Sequence, residues 1–287
     1  MNPHIDIKLL DFTKINDKIK ISTMSGTCKL NVNILLENIY NYIELDIDNI
    51  VTVKYKGLIK SLLKLKKKRK KKKKRNAFQN QLTLEIIPDK NLFPNNKISV
   101  KLFKNGSIQM AGIKSLEACN YVLNKLIDTL KKEYGIVNET NTITDIKFID
   151  DIDGIKITNF KIDMINSNFN IGFRINRETL YNIIILNKIQ CSFEPSIHAC
   201  VNIKILPKKA IKNVSIFVFQ SGNVIITGAK NVESIIEAYD FIIMFLNKHK
   251  KNIIQNEVSE SLLLKINKNN LLNKLNKNNI VDILLND

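Results

Sequence analysis

Ten consecutive basic side chains, Lys66 to Arg75, form the densest chemical feature of the chain. A run of like charges cannot pack, so it is expected as a solvated loop. Its chemistry would be attraction of phosphate through counterion release, or service as a nuclear import signal. The carboxylates Asp145, Asp150, Asp151 and Asp153 cluster closely enough to raise a metal-dependent nuclease. They fall between two patterned halves, however, and read as a solvated junction. Cys28, Cys119, Cys191 and Cys200 include no CxxC pair, and His4, His198 and His249 lie far apart, so no metal site is expected. The cysteines read as free thiols in a reducing compartment. GxxxxGK[ST] is absent and no Ser-His-Asp or Cys-His set has supporting context, so neither catalysis nor a cofactor is expected.

Lysine and arginine number 45 against 27 acidic residues, a formal net charge of +18, of which the tract supplies ten positive charges. The rest of the chain is mildly basic and 44% of it is hydrophobic, enough for a sizeable core. No stretch approaches the ~20 apolar residues of a membrane-spanning helix. The first twelve residues lack the basic start and continuous apolar run of a secretory signal, so no membrane partner is expected.

The elements that would position any site come from an internal repeat. Ile98 to Lys114 reads ISVKLFKNGSIQMAGIK, and Val214 to Lys230 reads VSIFVFQSGNVIITGAK. Each copy predicts a β-hairpin, with period-two runs flanking Asn105-Gly106 or Ser221-Gly222. A helix should follow each. Ser115 can cap Leu116, Cys119, Leu123, Leu126, Ile127, Leu130 and Tyr134; Asn231 can cap Val232, Ile235, Tyr239, Ile242 and Leu246. Upstream, strands opening at Ile21 and Ile157 precede helical patterns over Val32 to Ile43 and Arg177 to Leu186. The interval from Ile50 to Phe103 is far longer than that from His198 to Phe219, so the first half should carry an insertion. The expected organisation is an N-terminal segment 1–17, a first repeat 18–135 with a basic insertion at about 58–96, an acidic junction 136–154, a second repeat 155–250 and a helical tail 251–287.

Phe-x-[Ser/Asn]-Gly, followed after a second alternating run by Gly-[Ala/Ile]-Lys, occurs twice and resembles the TATA-binding protein family. Phe193-Glu194-Pro195 is similar to the Tyr-Glu-Pro that precedes the family's second set of strands. The resemblance covers about 18–248, and the divergence looks like that of TATA-binding-like proteins of large DNA viruses or AT-rich protists. It implies an α+β fold whose two pseudo-symmetric repeats form a saddle-shaped curved antiparallel sheet, with helices on the convex face. The concave face would then take double-stranded DNA by its minor groove; wedging by apolar side chains is the family's known mode and is taken over from it. Phe103 and Phe219 fall on wedge positions, with Ile50 and His198 at the second wedge of each pair. Phe217 shares the face of Phe219, and Thr227 matches a groove-facing threonine, where the first repeat has Ala111. Asn159 and Thr23 would form the central polar pair, and Lys56, Lys114, Lys204 and Lys230 match phosphate-contacting positions.

The implied function is that of a DNA-binding transcription initiation factor, a monomer on DNA, with a transcription factor IIB-like protein and RNA polymerase as partners. The implied location is the nucleus or a viral replication compartment in the host cytoplasm. The alternative is a protein-interaction scaffold of the same fold whose basic loop tethers nucleic acid nonspecifically.

Overall fold

The computed structural model describes residues 11–47, 49–64, 80–89, 91–94, 96–137 and 141–255. The basic tract and the tail from 256 onward, with the loop and helices expected there, lie outside the described residues.

Alternating apolar residues fold as strands. In chain order these are β1 (Lys20–Leu30), β2 (Ile50–Tyr55), β3 (Leu58–Ser61), β4 (Gln81–Ile86), β5 (Ile98–Phe103), β6 (Ser107–Ile113), β7 (Tyr134–Val137) and β8 (Ile143–Ile146). They continue with β9 (Ile157–Asn170), β10 (Cys191–Ser192), β11 (Cys200–Ile205), β12 (Val214–Phe219) and β13 (Asn223–Ala229). The helices are α1 (Leu36–Tyr42), α2 (Leu116–Leu130), α3 (Arg177–Leu186), α4 (Val232–Lys248) and α5 (Lys250–Ile253). The hydrogen-bonded strand order is β10-β11-β12-β13-β9-β1-β6-β5-β4-β2-β3, and β7 and β8 pair separately. Outward from the β1/β9 pair, β6-β5-β4-β2 corresponds strand by strand to β13-β12-β11-β10, and β3 is extra.

Two compact units divide the chain. The first holds the described residues up to Phe169 together with Lys204–Ile216 and Ile225–Phe241. Its core lies between α2 and α4 and one side of the strands. The Cys119 thiol meets the Met110 sulfur at 3.8 Å, and Tyr239 stacks edge-on against Phe169 with ring centroids 4.8 Å apart. Leu82, Leu84, Val100, Leu102, Ile108 and Met110 are wholly buried on that side. The second unit holds Asn170–Ile203, Phe217–Val224 and the described residues from Ile242. There α5 and the following bridge of Ile254 to Ile175 tie the end of α4 to the start of α3.

Both expected caps form: Ser115 Oγ accepts from the Ala118 amide at 3.1 Å, and Asn231 Oδ1 from the Ser234 amide at 2.9 Å. Gly106 and Gly222 adopt left-handed backbone at φ 79° and 82°, as the turns require. Each turn docks on the strand-to-helix loop of its own repeat in the same way. The Leu30 and Ile34 amides donate to Gly106 and Lys104 carbonyls at 2.9 and 2.8 Å. Their counterparts are Ile171 to Gly222 at 3.0 Å and Ile175 to Gln220 at 2.9 Å. These bonds hold the backbone before α1 out of helix, which is why α1 is shorter than the expected Val32 to Ile43.

Three expectations are revised. The stretch 58–96 is not one insertion: it supplies β3 and also β4, which lies between β2 and β5. Tyr134 leaves the α2 pattern and starts β7, because α2 ends at Leu130. The acidic junction is anchored rather than free. Phe148 and Ile149 are buried, and Asp150 accepts from the Asn33 amide at 2.9 Å and its Nδ2 at 2.7 Å. The Asn33 hydrogen bonds hold the Asp150 carboxyl below its ordinary range.

Candidate nucleic-acid interface

Strand alternation leaves each repeat with one face opposite its helices, here termed the open face. On β5, Ser99, Lys101 and Phe103 are half-exposed while Ile98, Val100 and Leu102 are buried. On β12 the same pattern exposes Ser215, Phe217 and Phe219 and buries Val214, Ile216 and Val218. Phe103 and Phe219 thus stand on the open faces of their own repeats, each three residues before a docked glycine turn. An aromatic ring left partly in water at a strand end is available to a ligand.

Cross-strand register makes the first repeat's open face readable as rows. Thr83, Lys101, Gln109, Thr27 and Lys161 are successive partners across β4, β5, β6, β1 and β9. The next row is Glu85, Ser99, Ala111, Ser25 and Met164. A shallow depression of about 350 Å³ lies beside Phe103, with Thr27, Lys29, Gln109, Asn159 and Lys161 in its wall. Glu85 receives Lys54 at 2.5 Å and Lys97 at 3.1 Å. Burial pushes its carboxyl up, but the hydrogen bonds and charges of the two lysines outweigh it and the net shift is downward. The acid therefore stays ionised and is neutralised where it sits.

The second repeat's open face is greasier. Phe217, Phe219 and Ile225 are half-exposed, and Thr227 Oγ donates to Asn166 Oδ1 at 2.5 Å beside the Met164 sulfur at 3.6 Å. Lys204 is exposed on β11, alternating with buried Val201 and Ile203.

Other expected site residues are placed differently. Ile50 is only 2% exposed and packs in the core, so it is no wedge. The strand beside β5 is β4, not β2, so the true counterpart of the residues leading into β11 precedes Gln81 and lies outside the described residues. His198 is exposed in the loop before β11, its amide donating to the Glu194 carbonyl at 2.8 Å. Lys56 sits in the turn joining β2 to β3 and pairs with Glu37 at 3.4 Å, so it is no counterpart of Lys204. Lys114 and Lys230 are exposed just after β6 and β13.

Thr23 lies opposite Asn166, and Met24 opposite Ile165. Asn159 is seven residues away, exposed and left-handed at φ 53°, in a bulged part of β9 near Phe103 rather than beside Thr23. Ser25 and Asn166, which sequence reasoning missed, are the polar residues at equivalent places on β1 and β9. The equivalence of Leu30 with Ile171 through their bonds to the two turns would have found them. Matching the strand starts did not, because β9 has 14 residues against 11 in β1.

Comparison with known proteins bears on family and fold. Residues 159–249 match the family described as Transcription factor TFIID (or TATA-binding protein, TBP). The chain is 37% identical over 257 residues to the TATA-box-binding protein-like protein of Acanthamoeba polyphaga mimivirus, covering 83% of this chain and 68% of that one. It is 26% identical over 155 residues to the TATA-box-binding protein of Dictyostelium discoideum, covering 54% and 63% respectively. The solved structure of Methanococcus jannaschii TBP superposes with a TM-score of 0.52 at 19% identity, covering 80% of this chain and 99% of that one, and shows the shared fold. The chain belongs to the TATA-binding protein family.

Proposed function

We propose that this protein is a noncatalytic transcription initiation factor that binds promoter duplex through the minor groove and bends it. The observation that carries the reading is the placing of Phe103 and Phe219, each half-exposed on the open face of its repeat at the end of a rigidly docked hairpin. Rings so held can enter a base step, and the unstacking they cause is offset by the extra surface a bent duplex contacts. Lys29, Lys161, Lys204 and Lys230, all exposed, supply phosphate attraction around the faces. Family membership supports a transcription factor IIB-like protein and RNA polymerase as partners, with the protein a monomer on DNA. It likewise supports the nucleus or a viral replication compartment as the place of action.

A duplex carrying a dye at each end tests this. The wild-type protein should shorten the end-to-end distance of an A·T-rich duplex. Phe103→Ala with Phe219→Ala should abolish the shortening and cost about 1–3 kcal/mol of binding per ring, the usual worth of base stacking. An unchanged bend and affinity in the double variant refutes the wedge.

A further inference from the structure

We infer that the first repeat reads base edges by hydrogen bonding, and accepts guanine's exocyclic amino group, through a polar patch centred on Gln109 and Lys101. The inference rests on the minor-groove reading above and assigns it a sequence specificity.

Lys101 and Gln109 are direct cross-strand partners, and Thr27 is the next partner of Gln109. Neighbouring strands lie about 4.8 Å apart, so the three side chains form one short row. All project from the open face, because Leu102, Ile108 and Met110 between them are buried on the other. Among the described residues neither Lys101 nor Gln109 has a side-chain hydrogen-bond partner, and Thr27 Oγ is shielded from solvent without one. The patch is therefore polar capacity that the fold does not consume.

Nor does the fold require it. The hairpin repeat places Phe217 where the first repeat has Lys101, and Ile225 where it has Gln109. The same two backbone positions are apolar in one repeat and hydrogen-bonding in the other. The charge on this face is not that of an acidic site, since Glu85 is held by both Lys54 and Lys97.

In the minor groove an A·T pair shows only acceptors, adenine N3 and thymine O2, whereas G·C adds the guanine N2 donor. Against Phe217 and Ile225 that donor would be buried without a partner, so the second repeat discriminates against G·C. Gln109 Oε1 can accept from the amino group, while Lys101 Nζ donates to the N3 or O2 acceptor beside it. The two repeats consequently make unequal demands on the duplex, and the bound site has a direction.

Inosine tests this, since I·C differs from G·C in the minor groove only by lacking the N2 amino group. Competition bandshifts would scan an A·T-rich duplex with G·C and then I·C at each position in turn. With the wild-type protein, one cluster of positions should favour G·C over I·C by about three- to tenfold, the worth of one hydrogen bond. Gln109→Leu should invert the preference at that cluster and leave it unchanged elsewhere. Each preference is a ratio within one protein, so partial unfolding of a variant does not imitate the result. Preference for I·C at every position, or a ratio unmoved by Gln109→Leu, overturns this inference while leaving minor-groove binding intact. Failure of the wild-type protein to bind any duplex overturns both.

Discussion

The hairpin glycines allow a quantitative test of what positions Phe103 and Phe219. A Cβ at Gly106 would lie 2.3 Å from the Leu30 carbonyl oxygen and 2.5 Å from that of Val32. At Gly228, where φ is also left-handed at +90°, the nearest atom would be the Asn213 carbonyl oxygen at 3.6 Å, an ordinary contact. Both substitutions by alanine carry the left-handed cost of about 1–2 kcal/mol. Only Gly106→Ala must also push the loop at Leu30 and Val32 away. That would break the Leu30 to Gly106 and Ile34 to Lys104 bonds at 2.9 and 2.8 Å. At about 1 kcal/mol for each bond, Gly106→Ala should cost about 3–4 kcal/mol in all, against about 1–2 for Gly228→Ala. Urea unfolding followed by far-ultraviolet circular dichroism measures both, and tyrosine emission serves as a second probe because the chain has no tryptophan. Gly222→Ala should resemble Gly106→Ala, since its Cβ would lie 2.3 Å from the Phe173 carbonyl oxygen. Equal losses for Gly106→Ala and Gly228→Ala would show that the turns are not clamped by the loops.

Two further outcomes are expected. The Glu85 carboxyl is depressed below its ordinary value, so its stabilisation is complete above that value and disappears as pH falls through the lower folded one. Urea midpoints should therefore drop more between neutral pH and about pH 3 in the wild-type protein than in Glu85→Gln, and identical slopes would contradict the ion-paired geometry. Burial pushes the Cys28 and Cys119 thiols up to about 12, with Cys28 adding to the shift at Cys119. Near pH 8 a thiol reagent should consume Cys191 and Cys200 in the folded protein and the other two only in denaturant; prompt reaction of all four would mean the α2 core opens readily.

Local pattern carried much of the architecture. Period-two runs around Asn105-Gly106 and Ser221-Gly222, and the capped apolar spacing after Ser115 and Asn231, specify hairpins and helices through interactions a few residues apart. The alternation also put Phe103, Phe217 and Phe219 on the side away from the core, because successive strand residues face opposite ways. The repeat itself was enough to raise the family that the similarity to the mimivirus protein establishes.

Strand partnership was another matter. Whether β2 or β4 lies beside β5 depends on pairing across dozens of residues, and matching the family's second wedge to Ile50 placed it on the open face when it is core. The partner of Thr23 is Asn166 rather than Asn159 because the register of β1 on β9 is set by long-range hydrogen bonds and bulges, not by where each strand begins. The row of Thr83, Lys101, Gln109 and Thr27 likewise joins four strands whose adjacency no local rule specifies. Sequence by itself determined the two hairpins, the helices that follow them and which hairpin residues face away from the core; tertiary structure alone decided the remaining strands and which residues became neighbours, because adjacency across a sheet is a property of distant segments meeting.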